Sequence, residues 1–162
     1  MASSTVRTVF EKGTSAFNAH DVDAMAETMT DDVSTRAPGG TELSGKQAVK
    51  AFYKSWIDAF PDAHVDIKAV HVLDDVAVEE GVFTGTHRAT LKSPGGDLPA
   101  TGRNVSVEYI QVLRFRGDRV ASFHLVFDRA EMLEQLGLAP SPEAMAASGR
   151  RGEAAAQPIQ PH

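Results

Sequence analysis

Cysteine is absent from all 162 residues. That excludes disulfides, thiolate nucleophiles and cysteine-ligated metal sites, and it fits the cytoplasm, the compartment expected here. Aromatic residues are sparse, with one Trp and two Tyr, so any aromatic lining of a site must come from a few nameable positions. Cations are outnumbered, 16 Lys and Arg against 22 Asp and Glu. A net charge of -6 argues against a nucleic-acid surface, which needs clustered Lys and Arg. No apolar run reaches the length of a membrane span. The first residues, Met1 to Arg7, lack the apolar core of a signal peptide. The His residues do not match a metal spacing: His20, His64 and His71 are dispersed. Phosphate-loop and nucleotide patterns are also missing, since Gly39-Gly40 and Gly95-Gly96 read as turns. No metal and no cofactor are therefore expected.

What is present is enough for one domain with a hydrophobic core. Residues 4–19 carry a helical stripe at Val6, Val9, Phe10, Gly13, Ala16 and Phe17. Asp21 is placed to cap a second helix, Val22 to Met29, and a short strand is expected at Val33 to Arg36. Ser44 is expected to cap a third helix, 45–60, which Pro61 stops. The hydrophobic period then changes to two. Strands are expected over 63–73, 76–91, 103–116 and 119–127, with candidate bulges at Gly81 and Gly85, turns at Asp74-Asp75 and Gly117-Asp118, and a loop over 93–102. A last helix follows Asp128 and ends at Gly137. Helices first and long antiparallel strands after them give an α+β domain over residues 1–140, a curved sheet closed by helices into a cone with a cavity. Residues 141–162, rich in Ala, Gly, Arg, Pro and Gln, read as a disordered tail.

A two-residue turn at Gly117-Asp118 sets the expected register of the last hairpin. It pairs Gln111 with His124, Tyr109 with Val126 and Val107 with Asp128. One face then carries Tyr109, Gln111, His124 and Asp128, the apolar and polar mixture of a ligand pocket. The other carries Ile110, Val112, Phe123, Leu125 and Phe127, for a packed core or a subunit interface. His124 and Asp128 lie ~13 Å apart along the strand, too far for a direct dyad. Asp128 has two roles open to it: a lone, partly desolvated base at a pocket rim, or the N-cap of the helix that follows, with Glu131 at the capping-box offset. His87 and His124 read first as ordinary strand histidines, with a place in the pocket as the alternative. Trp56 is core or cavity wall. Of Glu79-Glu80, one residue is expected to be exposed and the other to be a paired or pocket carboxylate.

Several segments, taken in order, resemble a known family. They are Phe17-Asn18-Ala19-His20-Asp21, Pro38-Gly39-Gly40 with Gly45-Lys46-Gln47-Ala48-Val49, and Trp56-Ile57-Asp58-Ala59-Phe60-Pro61-Asp62. Then come Phe83-Thr84-Gly85-Thr86-His87, Pro99-Ala100-Thr101-Gly102-Arg103 and Gln135-Leu136-Gly137-Leu138. Together, over about residues 5 to 140, they are similar to the SnoaL-like polyketide cyclases, or ester cyclases, of the NTF2-like superfamily. The resemblance implies an NTF2-like cone and a cofactor-independent cyclase that closes a ring by intramolecular aldol condensation. The substrate would be a small hydrophobic polycarbonyl or aromatic compound. Asp128, at the junction of last strand and last helix, would be the acid/base. His124, Gln111, Tyr109 and His87 would be polar pocket groups, with Trp56 as a wall. One departure is Val126, where the family's characterised cyclases tend to carry His. A homodimer or homotetramer is also implied, without nucleic acid or membrane as partner. Related isomerase, dehydratase or hydroxylase chemistry, or simple small-molecule binding, are the alternatives.

Overall fold

A computed structural model describes residues 2–139 and the short stretches 142–143 and 145–147. The tail expected from residue 141 lies, apart from those five residues, outside the described residues. Helix α1 (Ala2–Asn18) buries Val6, Phe10, Ala16 and Phe17 along the expected stripe. His20, with φ 59°, and the side chain of Asp21 turn the chain into α2 (Val22–Glu27), where Asp21 accepts from the Ala24 amide as expected of an N-cap. Strands β1 (Met29–Ala37) and β2 (Thr41–Ser44) form a hairpin around Pro38-Gly39-Gly40. The strand expected at Val33 to Arg36 is thus longer. Ser44 ends β2, and the N-cap of α3 (Lys46–Ala59) is Gly45, with φ 93° and no side-chain cap bond. The expected capping role of Ser44 is corrected accordingly.

Strands β3 (His64–Leu73), β4 (Val76–Thr86), β5 (Asn104–Arg116) and β6 (Arg119–Phe127) follow, then α4 (Arg129–Gln135). The six strands lie in the order β2-β1-β6-β5-β4-β3. All neighbours are antiparallel except β1 and β6, which run parallel. The sheet curves without closing, and the helices pack on its concave side, so the expected α+β cone is the observed architecture. No helix among the described residues is long and apolar enough to cross a membrane.

Two expectations about bulges are corrected. β4 pairs with β5 without a break from Val76 to Thr86, so Gly81 and Gly85 are not bulged. The extra residue is Lys68 on β3, between the pairs Ile67–Gly81 and Ala69–Glu80. The glycines admit neighbours instead. A Cβ at Gly81 would stand 2.6 Å from the Tyr109 hydroxyl, and one at Gly85 would stand 3.0 Å from the Phe60 Cβ.

A bulge on β6 decides the site. The Gly117-Asp118 turn forms, and Arg116 pairs with Arg119 as expected. Phe115 then pairs with Val120 but Arg114 with Ser122, which leaves Ala121 extra on β6. From there the register is one residue off the expected one. Tyr109 meets Phe127, Gln111 meets Leu125 and Val112 meets His124. A shift of one residue turns every later side chain to the other face. Phe123, Leu125 and Phe127 therefore point inward with Tyr109 and Gln111, while His124 and Val126 stand exposed on the convex face.

Candidate active site

Two buried clusters fill the cone. One gathers Phe60, Val105, Met132 and Leu136, and the other Val6, Val33, Val49 and Phe123. Tyr53 packs against both. Between them lies a cavity of about 130 Å³. Its walls come from α1 (Phe10, Phe17), α3 (Phe52, Trp56) and the inward positions of β4, β5 and β6. The aromatic rings meet edge to face, Trp56 with Phe83 at 5.4 Å and with Phe127 at 5.9 Å between centroids, the favoured arrangement for aromatic pairs. Trp56 is therefore both core and cavity wall.

One acidic side chain enters this apolar space. Glu79, directly across from Gln111 on the β4–β5 ladder, is 4% exposed. Its Oε1 accepts the Tyr109 hydroxyl, and its Oε2 accepts Gln111 Nε2 at 3.3 Å. Burial pushes the Glu79 carboxyl above its ordinary value, because the charged form is poorly solvated, while the bonds from Tyr109 and Gln111 pull the other way. The Tyr109 phenol is pushed up, first by burial and then by the Glu79 charge. Burial, and then the Glu79 charge, also raise the Tyr53 phenol. Period-two alternation puts Glu79 inward and Glu80 outward, so one of this pair is the pocket carboxylate, as expected.

The expected site residues divide. Tyr109, Gln111 and Trp56 line the cavity together. His124 stands outside, its Nδ1 accepting from Arg36 Nη2 at 3.3 Å across the β1–β6 pair. His87 is buried, 0% exposed, stacked 5.0 Å from Phe60 with Nδ1 against the Thr101 hydroxyl at 3.2 Å. It lies behind Phe60 and is not among the cavity residues. Burial holds its imidazole below the ordinary histidine value. Asp128 is exposed, and its Oδ1 accepts the amides of Ala130 and Glu131 at 2.9 and 3.1 Å as the N-cap of α4. Its neighbours Phe127 and Met132 line the cavity and it does not. The expected pairing of Val107 with Asp128 does not form: the β5–β6 ladder ends at Tyr109 and Phe127, one residue off the expected register because of the extra Ala121.

The segments that carried the resemblance hold the cone together. Asn18 bonds the Val65 amide and carbonyl, and the His20 Nε2 lies 2.7 Å from the Ala63 carbonyl. Asp62 accepts the amide and hydroxyl of Thr86, which hold its carboxyl below the ordinary range. Gln135 pairs with both backbone groups of Ser106 and so docks α4 on β5. Among the described residues no group of three or more His, Asp or Glu could hold a metal ion.

Comparison with known proteins agrees with this architecture. The structure is similar to a SnoaL-like polyketide cyclase proposed from Jannaschia sp. CCS1, with TM-score 0.75 and 18% identity over 86% of this chain and 96% of that one. AclR from Streptomyces galilaeus, a proposed hydroxylase, superposes with TM-score 0.72 and 20% identity over 85% of this chain and 99% of that one. IdmH from Streptomyces antibioticus, a proposed polyketide cyclase, gives TM-score 0.67 and 23% identity over 82% and 98%. At such identities these likenesses establish the fold. No curated protein matches the chain. The family model for SnoaL-like polyketide cyclases matches residues 7–136, nearly the whole described domain, and the chain belongs to that family.

Proposed function

We propose that this protein is a cofactor-independent acid/base enzyme that closes a ring in a small polycarbonyl compound by intramolecular aldol addition, with Glu79 as the acid/base. The observation that carries this is a single buried carboxylate, raised in basicity by burial, at the wall of an apolar cavity. In its charged form Glu79 would take a proton from a carbon next to a carbonyl. The enolate carbon would then bond to a second carbonyl carbon of the same chain. The electron pair of that C=O bond would pass to its oxygen, which would recover the proton from Glu79. The sequence is redox-neutral. Tyr109 and Gln111 would hold the carboxylate in place throughout. A positioned base contributes on the order of 10²- to 10⁴-fold, and enclosure of the chain in a folded conformation contributes more.

Asp128 is the second candidate for the same role, favoured by its place between two cavity residues, Phe127 and Met132. Proton exchange separates the two. The α-protons of 4-methylcyclohexanone in D2O, followed by NMR, should exchange faster with the protein. Glu79→Gln should reduce that acceleration by ~10²- to 10⁴-fold, and Asp128→Asn should leave it within about threefold. The reverse pattern would transfer the role to Asp128. No acceleration by the wild type, with binding intact, would favour a non-catalytic binding domain. Product analysis with a substrate panel separates cyclase from isomerase, dehydratase and hydroxylase. The proposal includes a cytoplasmic homo-oligomer joined through the convex sheet face, where Ile110 and Val126 are 50% and 51% exposed.

A further inference from the structure

The outward residues of β5 read acid, apolar, apolar, base: Glu108, Ile110, Val112 and Arg114. Alternation turns all four to the convex face, since Tyr109, Gln111 and Leu113 between them line the cavity. β5 runs between β6 and β4, near the middle of the sheet. Valines flank it on both sides. Val126 of β6 pairs with Ile110, and Val82, Val78 and Val76 of β4 pair with Glu108, Val112 and Arg114. Neighbouring charges are engaged within the protomer: Arg116 bonds Asp32, Arg36 bonds His124, and His71 stands 3.8 Å from Glu80. The side chains of Glu108 and Arg114 make no ion pair or hydrogen bond with any described residue.

A second copy of the chain supplies the missing partners. Two such faces can pack with β5 antiparallel on β5, about a two-fold axis that passes between Ile110 and Val112. Each residue then lies opposite the one equally far from the axis. Ile110 meets the partner's Val112, Val82 meets the partner's Val76, and Glu108 meets the partner's Arg114, each contact made twice. A parallel arrangement would set Glu108 on Glu108 and Arg114 on Arg114, so the charges select the antiparallel one. The distances allow it. Each charged residue lies about 10 Å along the strand from the axis. Packed sheets lie about 10 Å apart and cross at about 30°, which offsets each acid from its base by about 5 Å. A Glu and an Arg side chain together span that gap.

We infer that the convex face is a self-complementary interface for a second copy of this chain, with β5 antiparallel on β5 and the Glu108–Arg114 ion pair formed twice across it. This deepens the homo-oligomer reading above and rests on it. The apolar residues at the centre supply the attraction, and the charges at the ends fix orientation and register.

Charge reversal tests this by sedimentation equilibrium. The wild type should be a dimer or larger, and added salt should weaken it by screening the end pairs. Glu108→Arg and Arg114→Glu alone should each weaken association about tenfold, because each sets two like-charged pairs across the interface. The double variant Glu108→Arg, Arg114→Glu should recover the wild-type affinity within about threefold. An equimolar mixture of the two single variants should also associate, since the reversed charges then meet as opposites. Circular dichroism should show every variant folded. Single reversals that associate as the wild type does, or a double variant no tighter than the singles, would overturn the inference and leave the homo-oligomer reading in place. A monomeric wild type would overturn both.

Discussion

Glu79 is held between a cavity that opposes its charge and two donors that favour it. Burial is the larger influence, so folding raises the carboxyl above its unfolded value. The sign of the consequence follows. Where the folded protein binds the proton more tightly than the unfolded chain, stability falls as pH rises through that window. Below the unfolded value the group is protonated in both states and contributes no difference. Above the raised folded value the full cost of keeping the charge buried is present. Glu79→Gln keeps an acceptor for Tyr109 and removes the charge. The difference in urea stability, variant minus wild type, should therefore be near zero at about pH 4, close to the ordinary carboxylate value, and grow in the variant's favour toward about pH 8. A constant difference across that range would show that Glu79 titrates normally. Sequence alternation alone pointed one of Glu79 and Glu80 inward. Which one, and the identity of its two partners, came from the β4–β5 register.

At the scale of elements, the bulge at Ala121 sets the composition of the site. A two-residue turn was legible in Gly117-Asp118, and it formed. An extra residue three positions later has no signature in composition, and it moved His124 outward and Phe127 inward. The Tyr109 ring lies over the β4 backbone because Gly81 has no side chain. Gly81→Ala would drive a methyl into the Tyr109 hydroxyl and force the ring off Glu79. A loss of about 1–3 kcal/mol, the usual cost of overpacking, is expected in denaturant unfolding. Proton exchange should fall with it even where the variant is fully folded. Retention of both stability and exchange would mean that Tyr109 has room to move, against the close approach described. The family segments act at this same scale. Asn18, Asp62 and Gln135 bond backbone groups of strands rather than a ligand, so they report the fold and leave the reaction to other residues.

For the whole molecule, the parity change places apolar side chains on both faces of the sheet. The concave side holds the cavity, and the convex side presents Ile110 and Val126 as a cross-strand pair, with Val112 beside them. Exposed apolar groups in a cluster favour association. Sedimentation velocity should find the wild type as a dimer or larger, and Ile110→Glu should shift it to monomer while the circular dichroism stays unchanged. A monomeric wild type would sink the oligomer proposal and leave the cavity chemistry untouched.

The sequence by itself determined the order of elements apart from β2, the cap at Asp21, the α+β cone and, through its scattered scaffold segments, the family, and it left Asp128 open between cap and base. These depend on local periodicity and on side chains that bond backbone within or between adjacent elements, and such rules act over a few residues. Only the tertiary structure decided which residues share the cavity. That depends on the parity of each strand pairing, and a single inserted residue reverses it. Gln111 and Tyr109 were in place under either register because they lie before the bulge, on β5. His124 on β6 and Asp128 just beyond its end both follow the bulge, and their relation to the cavity could be read only after the two strands had paired.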